Sequence, residues 1–144
     1  MNITQVSVFL ENRKGRLAEV SDVLGRAGIN IRALSLADTA DFGVLRIIVD
    51  DPDACKKALK EHGFVVQETD VIGIEVNDKP GGLHTVLSTL EGQGINVEYM
   101  YATVEKNGDS AVVIFKVDAQ QKAIDVLKKH GIAVIKSDKL KKVY

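Results

Sequence analysis

The sequence predicts an α+β protein made of two tandem β-α-β-β-α-β units. Three observations carry this. Residues 15–31 return as residues 81–97 at an offset of 66, and seven of the 17 aligned positions are identical: Gly15/Gly81, Leu17/Leu83, Val20/Val86, Leu24/Leu90, Gly28/Gly94, Ile29/Ile95 and Asn30/Asn96. In each copy a helical spacing of apolar residues is flanked by runs that alternate like strands. The chain has 144 residues, so each copy is one small folding unit. The boundaries fall at 1–69 and 70–144. A unit of this size buries only about 60% of its unfolded surface. The copies are therefore expected to pack on each other, on a partner chain, or on both.

Residues 3–10 alternate and are rich in Val and Ile, which predicts a strand, and Glu11-Asn-Arg-Lys-Gly15 breaks it. Leu17, Val20, Leu24 and Ala27 then form one apolar helical stripe. Gly28 stands where a helix-terminating glycine supplies a left-handed residue. Residues 29–36 alternate as a second strand, residues 38–43 turn, and Val44–Val49 forms a third strand that is apolar on both faces. Asp51-Pro52 opens a second helix with proline in its first turn. Ala58 and Leu59 face inward, His62-Gly63 closes the helix, and Phe64–Gln67 starts a fourth strand.

The second copy follows the same order. Val71–Val76 is a strand, Asn77-Asp-Lys-Pro80 a loop, and Leu83, Val86 and Leu90 a helix stripe. Ile95, Val97, Tyr99 and Tyr101 share one strand face. Asn107-Gly108 signals a two-residue hairpin, since both turn residues need positive φ. Ala111–Val117 is the central strand, residues 120–130 the second helix and Gly131–Ile135 the last strand. After the hairpin the offset becomes 68, which aligns His62-Gly63 with His130-Gly131 and Cys55 with Ala123. Only Glu68-Thr-Asp70 separates the strand runs of the two copies, and the basic tail Lys139–Tyr144 is expected to fray.

This order is the ferredoxin-like arrangement, with both helices on one face of a four-stranded antiparallel sheet. An antiparallel sheet with one wet face alternates cleanly. Val44–Val49 and Ala111–Phe115 do not, so the second face is expected to be buried, most simply by sheet-on-sheet packing in a homodimer.

Nineteen basic and 20 acidic residues give a net charge of −1, which offers no electrostatic case for nucleic acid or an anionic membrane. No stretch approaches the ~20 apolar residues of a membrane span. The start, Met1-Asn-Ile-Thr-Gln-Val6, has no signal-peptide pattern. The single cysteine cannot form an internal disulfide, so a reduced, cytoplasmic setting is the default.

The chemistry concentrates where loops meet helix starts. Residues 12–17 are expected beside 28–31, and 78–83 beside 94–97. Gly15 and Gly81 let a ligand approach the backbone, and the free N–H groups at the following helix start favour a carboxylate. Asn30 and Asn96 each offer a donor and an acceptor. Asn12 adds an amide in the first copy and Asp78 a negative charge in the second. Such a set suits a small zwitterion, an α-amino acid.

Glu11-Asn-Arg-Lys-Gly-Arg-Leu17 followed by Gly28-Ile-Asn-Ile31, and Asn77-Asp-Lys-Pro-Gly-Gly-Leu83 followed by Gly94-Ile-Asn-Val97, resemble the signature of ACT domains, the small-molecule sensing modules of amino-acid metabolism. The resemblance covers nearly the whole chain, twice. It implies two domains side by side in one eight-stranded antiparallel sheet with helices on one face, and an effector amino acid at the seam. It implicates Leu10, Asn12, Gly15, Arg16, Leu17 and Asn30 in the first copy, and Val76, Asp78, Gly81, Gly82, Leu83 and Asn96 in the second. It implies no cofactor, no metal and no catalysis, but a regulatory protein that acts on an unidentified target enzyme. Lys14 departs from the proline that Pro80 keeps, Asp78 replaces the amide of Asn12, and no catalytic domain is attached. The half-sites are thus unlike.

Each residue also has a structural role to weigh against binding. Gly28 and Gly94 suit helix termination. Gly15, Gly81, Asn12 and Asp78 suit turns, and Asn30 and Asn96 suit backbone bonding in a turn. Cys55 suits a small core position. His62 and His130 suit helix C-termini, and two histidines without thiols or clustered carboxylates make a poor metal site. Tyr99 and Tyr101 suit packing on the sheet. Two other functions compete with the sensor. One is an assembly module without a ligand, served by a sheet apolar on both faces. The other is an acylphosphatase-like hydrolase, for which Arg16 and Asn30 give a superficial match that Gly82 breaks in the second copy. No nucleophile-base pair is visible.

Overall fold

The computed structural model describes residues 2–38, 41–107 and 110–137. Its elements are β1 (Ile3–Glu11), α1 (Arg16–Arg26), β2 (Ile31–Asp38), β3 (Phe42–Val49), α2 (Pro52–Glu61), β4 (Val65–Asn77), α3 (Gly82–Glu91), β5 (Val97–Asn107), β6 (Ser110–Val117), α4 (Gln120–Lys129) and β7 (Val134–Ile135). The chain divides into two compact units. One spans Thr4–Thr69, and the other runs from Asp70 onward together with residues 2–3.

In the first unit β3 lies between β1 and β2 and is antiparallel to both, with Val8 opposite Leu45 and Leu36 opposite Leu45 on the other side. Alternation decides the faces. Val6, Val8 and Leu10 from β1 and Leu45, Ile47 and Val49 from β3 meet Val20, Val23 and Leu24 of α1 and Cys55 and Leu59 of α2 in one core. Each such side chain contributes about 1.5–3 kcal/mol on burial. The apolar stripe of α1 ends at Leu24, and Gly28, at φ 72°, then turns the chain so that the Ile29 N–H bonds the Leu24 carbonyl at 2.9 Å. This is the left-handed glycine terminator that the spacing predicts.

The second unit repeats this plan. β6 pairs with β4 and β5, and β7 adds to β4 through Gly73↔Ile135 and Ile74↔Val134. Ile72, Ile74, Val76, Phe115 and Val117 pack against Val86 and Leu90 of α3 and Ala123, Ile124 and Leu127 of α4. Residues 2–3 take part. The Ile3 side chain is buried beside Gly73, where an added Cβ would stand 2.9 Å from its Cδ1, and Gln120 donates from Nε2 to Asn2 Oδ1 at 2.7 Å. β5 and β6 pair out to Asn107↔Ser110. Gly108 of the hairpin expected there, part of the 38–43 turn and the tail 139–144 lie outside the described residues.

The single eight-stranded open sheet is corrected. There are seven strands among the described residues, because the two runs on either side of Glu68-Thr69-Asp70 form one thirteen-residue strand, β4. Those three residues include no glycine or proline, so nothing turns the chain there. The bonded order is β1-β3-β2-β5-β6-β4, β1 also pairs β4, and β7 stands outside on β4. Six antiparallel strands therefore close into a barrel, which leaves no open sheet edge among them. The tandem α+β plan holds. The second sheet face is buried in part, while Phe9 on that face is 41% exposed. Ala33 and Ile48 in the first unit, and Val71 and Ile114 in the second, are fully or almost fully buried within the one chain.

Candidate functional site

The loop after β1 is short and self-bonded. Asn12 donates its N–H to the Asp41 carbonyl at 2.9 Å, and Arg13 donates to Glu11 at 2.8 Å. Gly15 then caps α1 at φ 89°, and no side chain caps the helix start. The second copy matches it, with Gly81 at φ 84° capping α3, again with no side-chain cap. An L-residue with a Cβ pays about 1–2 kcal/mol in this left-handed region, which explains both glycines locally. The first helical N–H of each copy turns back into its own loop, from Arg16 to the Arg13 carbonyl at 3.3 Å and from Gly82 to the Lys79 carbonyl at 3.0 Å, beside exposed Asn12 or Asp78. A carboxylate is favoured at such a start.

Leu17 and Leu83, one residue into each helix, are 43% and 37% exposed. Leu10 and Val76 lie buried in the two cores beneath the loops. Arg16 folds back on its own unit. Its guanidinium lies 4.4 Å above the Phe64 ring, bonds Glu19 at 2.9 Å, and keeps a buried Nε without an acceptor. Gly82, at the same place in the second copy, is buried, and an added Cβ would overlap the Asn77 carbonyl oxygen. Its lack of a side chain has a packing cause.

Asn30 and Asn96 stand elsewhere in their units. The loop after β1 meets the start of β3, where Leu10 pairs Gly43, whereas Asn30 meets the end of β3. β3 is eight residues long, so the two places are about 25 Å apart at ~3.3 Å per residue. In the second unit β6, also eight residues, separates Asn77 from Asn96 in the same way. The expected neighbourhood of 12–17 with 28–31, and of 78–83 with 94–97, is corrected for each unit. The reason is that α1 and α3 carry the chain from one end of the sheet to the other.

At that far end two residues that sequence reasoning passed over hold the turn. Asp50 Oδ1 accepts the Asn30 N–H at 3.1 Å, and the Asp50 N–H returns to the Asn30 carbonyl at 3.2 Å. Asp118 does the same for Asn96, at 3.0 and 3.1 Å. The signal was legible, since Asp50 and Asp118 align at the offset of 68.

One cavity of about 410 Å³ opens in the first unit, between α1 and β2. Leu17, Ser21, Ile31, Leu34, Leu45 and Ile47 line it. No group of three or more potential metal-binding side chains occurs among the described residues, and no described helix is long and apolar enough to cross a membrane. Cys55 is buried, and its thiol is pushed up to about 12 by burial first and by Asp50 and Asp51 second. It is therefore protonated and a poor nucleophile.

The family model described as an ACT domain pair matches residues 1–144. Protein BT0572 from Bacteroides thetaiotaomicron is 43% identical over 99% of this chain and 98% of its own, with a TM-score of 0.93. The ligand-free regulatory subunit of aspartate kinase from Thermus thermophilus shares the fold at a TM-score of 0.63 and 14% identity, over 88% of this chain and 91% of its own. That of Thermus flavus does so at 0.57 and 13%, over 90% and 92%. No curated protein matches.

Proposed function

We propose that this chain, which belongs to the ACT domain pair family, is a non-catalytic sensor that binds an α-amino acid and regulates amino-acid metabolism. One observation carries the reading. Both units present a helix start capped only by a left-handed glycine, with an exposed amide or carboxylate on the preceding loop. The helix start suits the ligand's carboxylate, and Asn12 or Asp78 suits its ammonium group. Solved structures of the same fold are regulatory subunits of aspartate kinase, which supports a regulatory role beside a separate target enzyme.

Gly15, Leu17, Gly81 and Leu83 belong to the proposed contact surface. Leu10, Val76 and Gly82 support it from below, and Arg16 stiffens the first loop through Phe64. Asn30 and Asn96 serve first as turn residues held by Asp50 and Asp118. A cytoplasmic homodimer belongs to the same reading. The exposed apolar positions recur in both units, with Leu17 and Leu34 matched by Leu83 and Met100, and repeated exposure of this kind suits an interface.

Calorimetry of the intact protein against the twenty amino acids tests the proposal. One or a few are expected to bind, and Asn12→Ala or Asp78→Ala is expected to weaken binding about tenfold, the loss of one good hydrogen bond to a charged group. If none binds, or if both variants bind normally, the reading fails.

A further inference from the structure

The two copies differ at several positions that line the cavity. In the first unit Ser21 turns its hydroxyl back to the Ala18 carbonyl at 2.8 Å and leaves the space above β2 open. The second copy places Leu87 at that position, Phe115 at the position of Ile47, and His84 at that of Ala18. Leu87 packs against the second core, and Phe115 is fully buried within it. Larger side chains therefore occupy the positions of Ala18, Ser21 and Ile47 in the second unit, while Val97 and Val113 stand for Ile31 and Leu45. The cavity of about 410 Å³ lies within the ~300–1,000 Å³ range of small-molecule sites. Its lining carries no ionisable side chain, and Ser21 supplies its single hydroxyl.

We infer that the ligand is an α-amino acid with a branched aliphatic or aromatic side chain, that this side chain enters the cavity between α1 and β2, and that only the first unit binds it. This rests on the amino-acid-binding reading above and names the ligand class and the copy. Apolar lining rejects a charged or strongly polar side chain, which would lose its water without gaining a partner. Among apolar side chains each methylene shifts the preference by about 10- to 200-fold, so one member of the class is favoured.

The experiment is calorimetry of the full chain with leucine, isoleucine, valine, phenylalanine, serine, aspartate and lysine. It is repeated on Ser21→Leu, Ile47→Phe and Leu87→Ser. Ser21→Leu copies the second unit at an exposed helix position, so the fold tolerates it, and unchanged thermal unfolding confirms that. Ile47→Phe fills the cavity from the sheet side. The expected result is one molecule bound per chain and apolar amino acids at least tenfold tighter than the other three. Ser21→Leu is expected to weaken binding at least tenfold, and Leu87→Ser to leave it unchanged. Preference for a polar amino acid, unaltered binding in Ser21→Leu, or two equal sites per chain overturns this inference and leaves the sensor reading standing. Failure of every amino acid in the full screen to bind overturns both.

Discussion

Gly82 and Arg16 hold the same place in the two copies, yet only Gly82 has no room for a side chain. A Cβ there would overlap the Asn77 carbonyl oxygen, whereas Gly15 and Gly81 have nothing within 4 Å of an added Cβ and are constrained only by their φ angles of 89° and 84°. Gly82→Ala is therefore expected to cost about 2–3 kcal/mol through overpacking, and Gly81→Ala about 1–2 kcal/mol through backbone strain. Urea unfolding of the two variants distinguishes the causes, and equal losses would show that the overlap relaxes freely. Cys55 gives a second test at this scale. Its folded value of about 12 stands above the ordinary thiol value of 9.0, so the folded state holds its proton more tightly than the unfolded chain does. The resulting stability is complete below pH 9 and is lost as pH rises toward 12. Between those limits the urea midpoint of the native protein is expected to fall faster than that of Cys55→Ala, which borrows the residue of the second copy, Ala123. Parallel curves would contradict the shift.

Among the elements, α2 and α4 begin with nearly the same backbone and different caps. Asp51, at φ −136°, accepts the Ala54 N–H on its side chain, while Ala119, at φ −133°, caps α4 with no side chain to do so. Ala119→Asp is expected to supply the missing acceptor and stabilise the second unit by about 1 kcal/mol. An unchanged melting temperature would mean that the N–H is already satisfied by water at no cost. The same comparison shows what the sequence made legible. The four helices and their glycine ends could be read because the 3.6-residue period and left-handed terminators are local properties. The strand junction at Glu68-Thr69-Asp70 could not, since three polar residues are equally compatible with a break and with a continuing strand, and only pairing decides. The glycine-capped helix starts of the site were legible from the repeat. The distance of Asn30 from Gly15 was not, because a shared motif fixes which residues recur and says nothing about which end of an eleven-residue helix they occupy. Burial on the second sheet face was legible in Val44–Val49 and Ala111–Phe115, but its extent was not, because an apolar pattern does not name the surface that meets it.

At the scale of the whole molecule the chain divides into two compact units, and one of them takes in residues from both ends of the sequence. The cut that sequence suggests, between Thr69 and Asp70, falls inside the thirteen residues of β4. It would also strand Ile3, which belongs with the second unit. Ile3 is 2% exposed and covers Gly73, a position whose missing side chain makes room for it. Removal of its side chain therefore leaves a cavity that Gly73 cannot fill. Ile3→Ala is expected to destabilise the protein by about 2–4 kcal/mol, the usual range for an isoleucine lost from a core. A fragment that begins at Asp70 lacks Ile3 and the Asn2 bond to Gln120 altogether. It is expected to bind a hydrophobic dye and to unfold without a sharp transition, while the intact chain does neither. A fragment that unfolds cooperatively at the temperature of the full protein would show that the second unit is complete without residues 2–3. If the fragment fails as expected, the second core needs chain from the other side of the boundary, residues 2–3. The cavity of the first unit must then be tested in the full chain, where both units are intact.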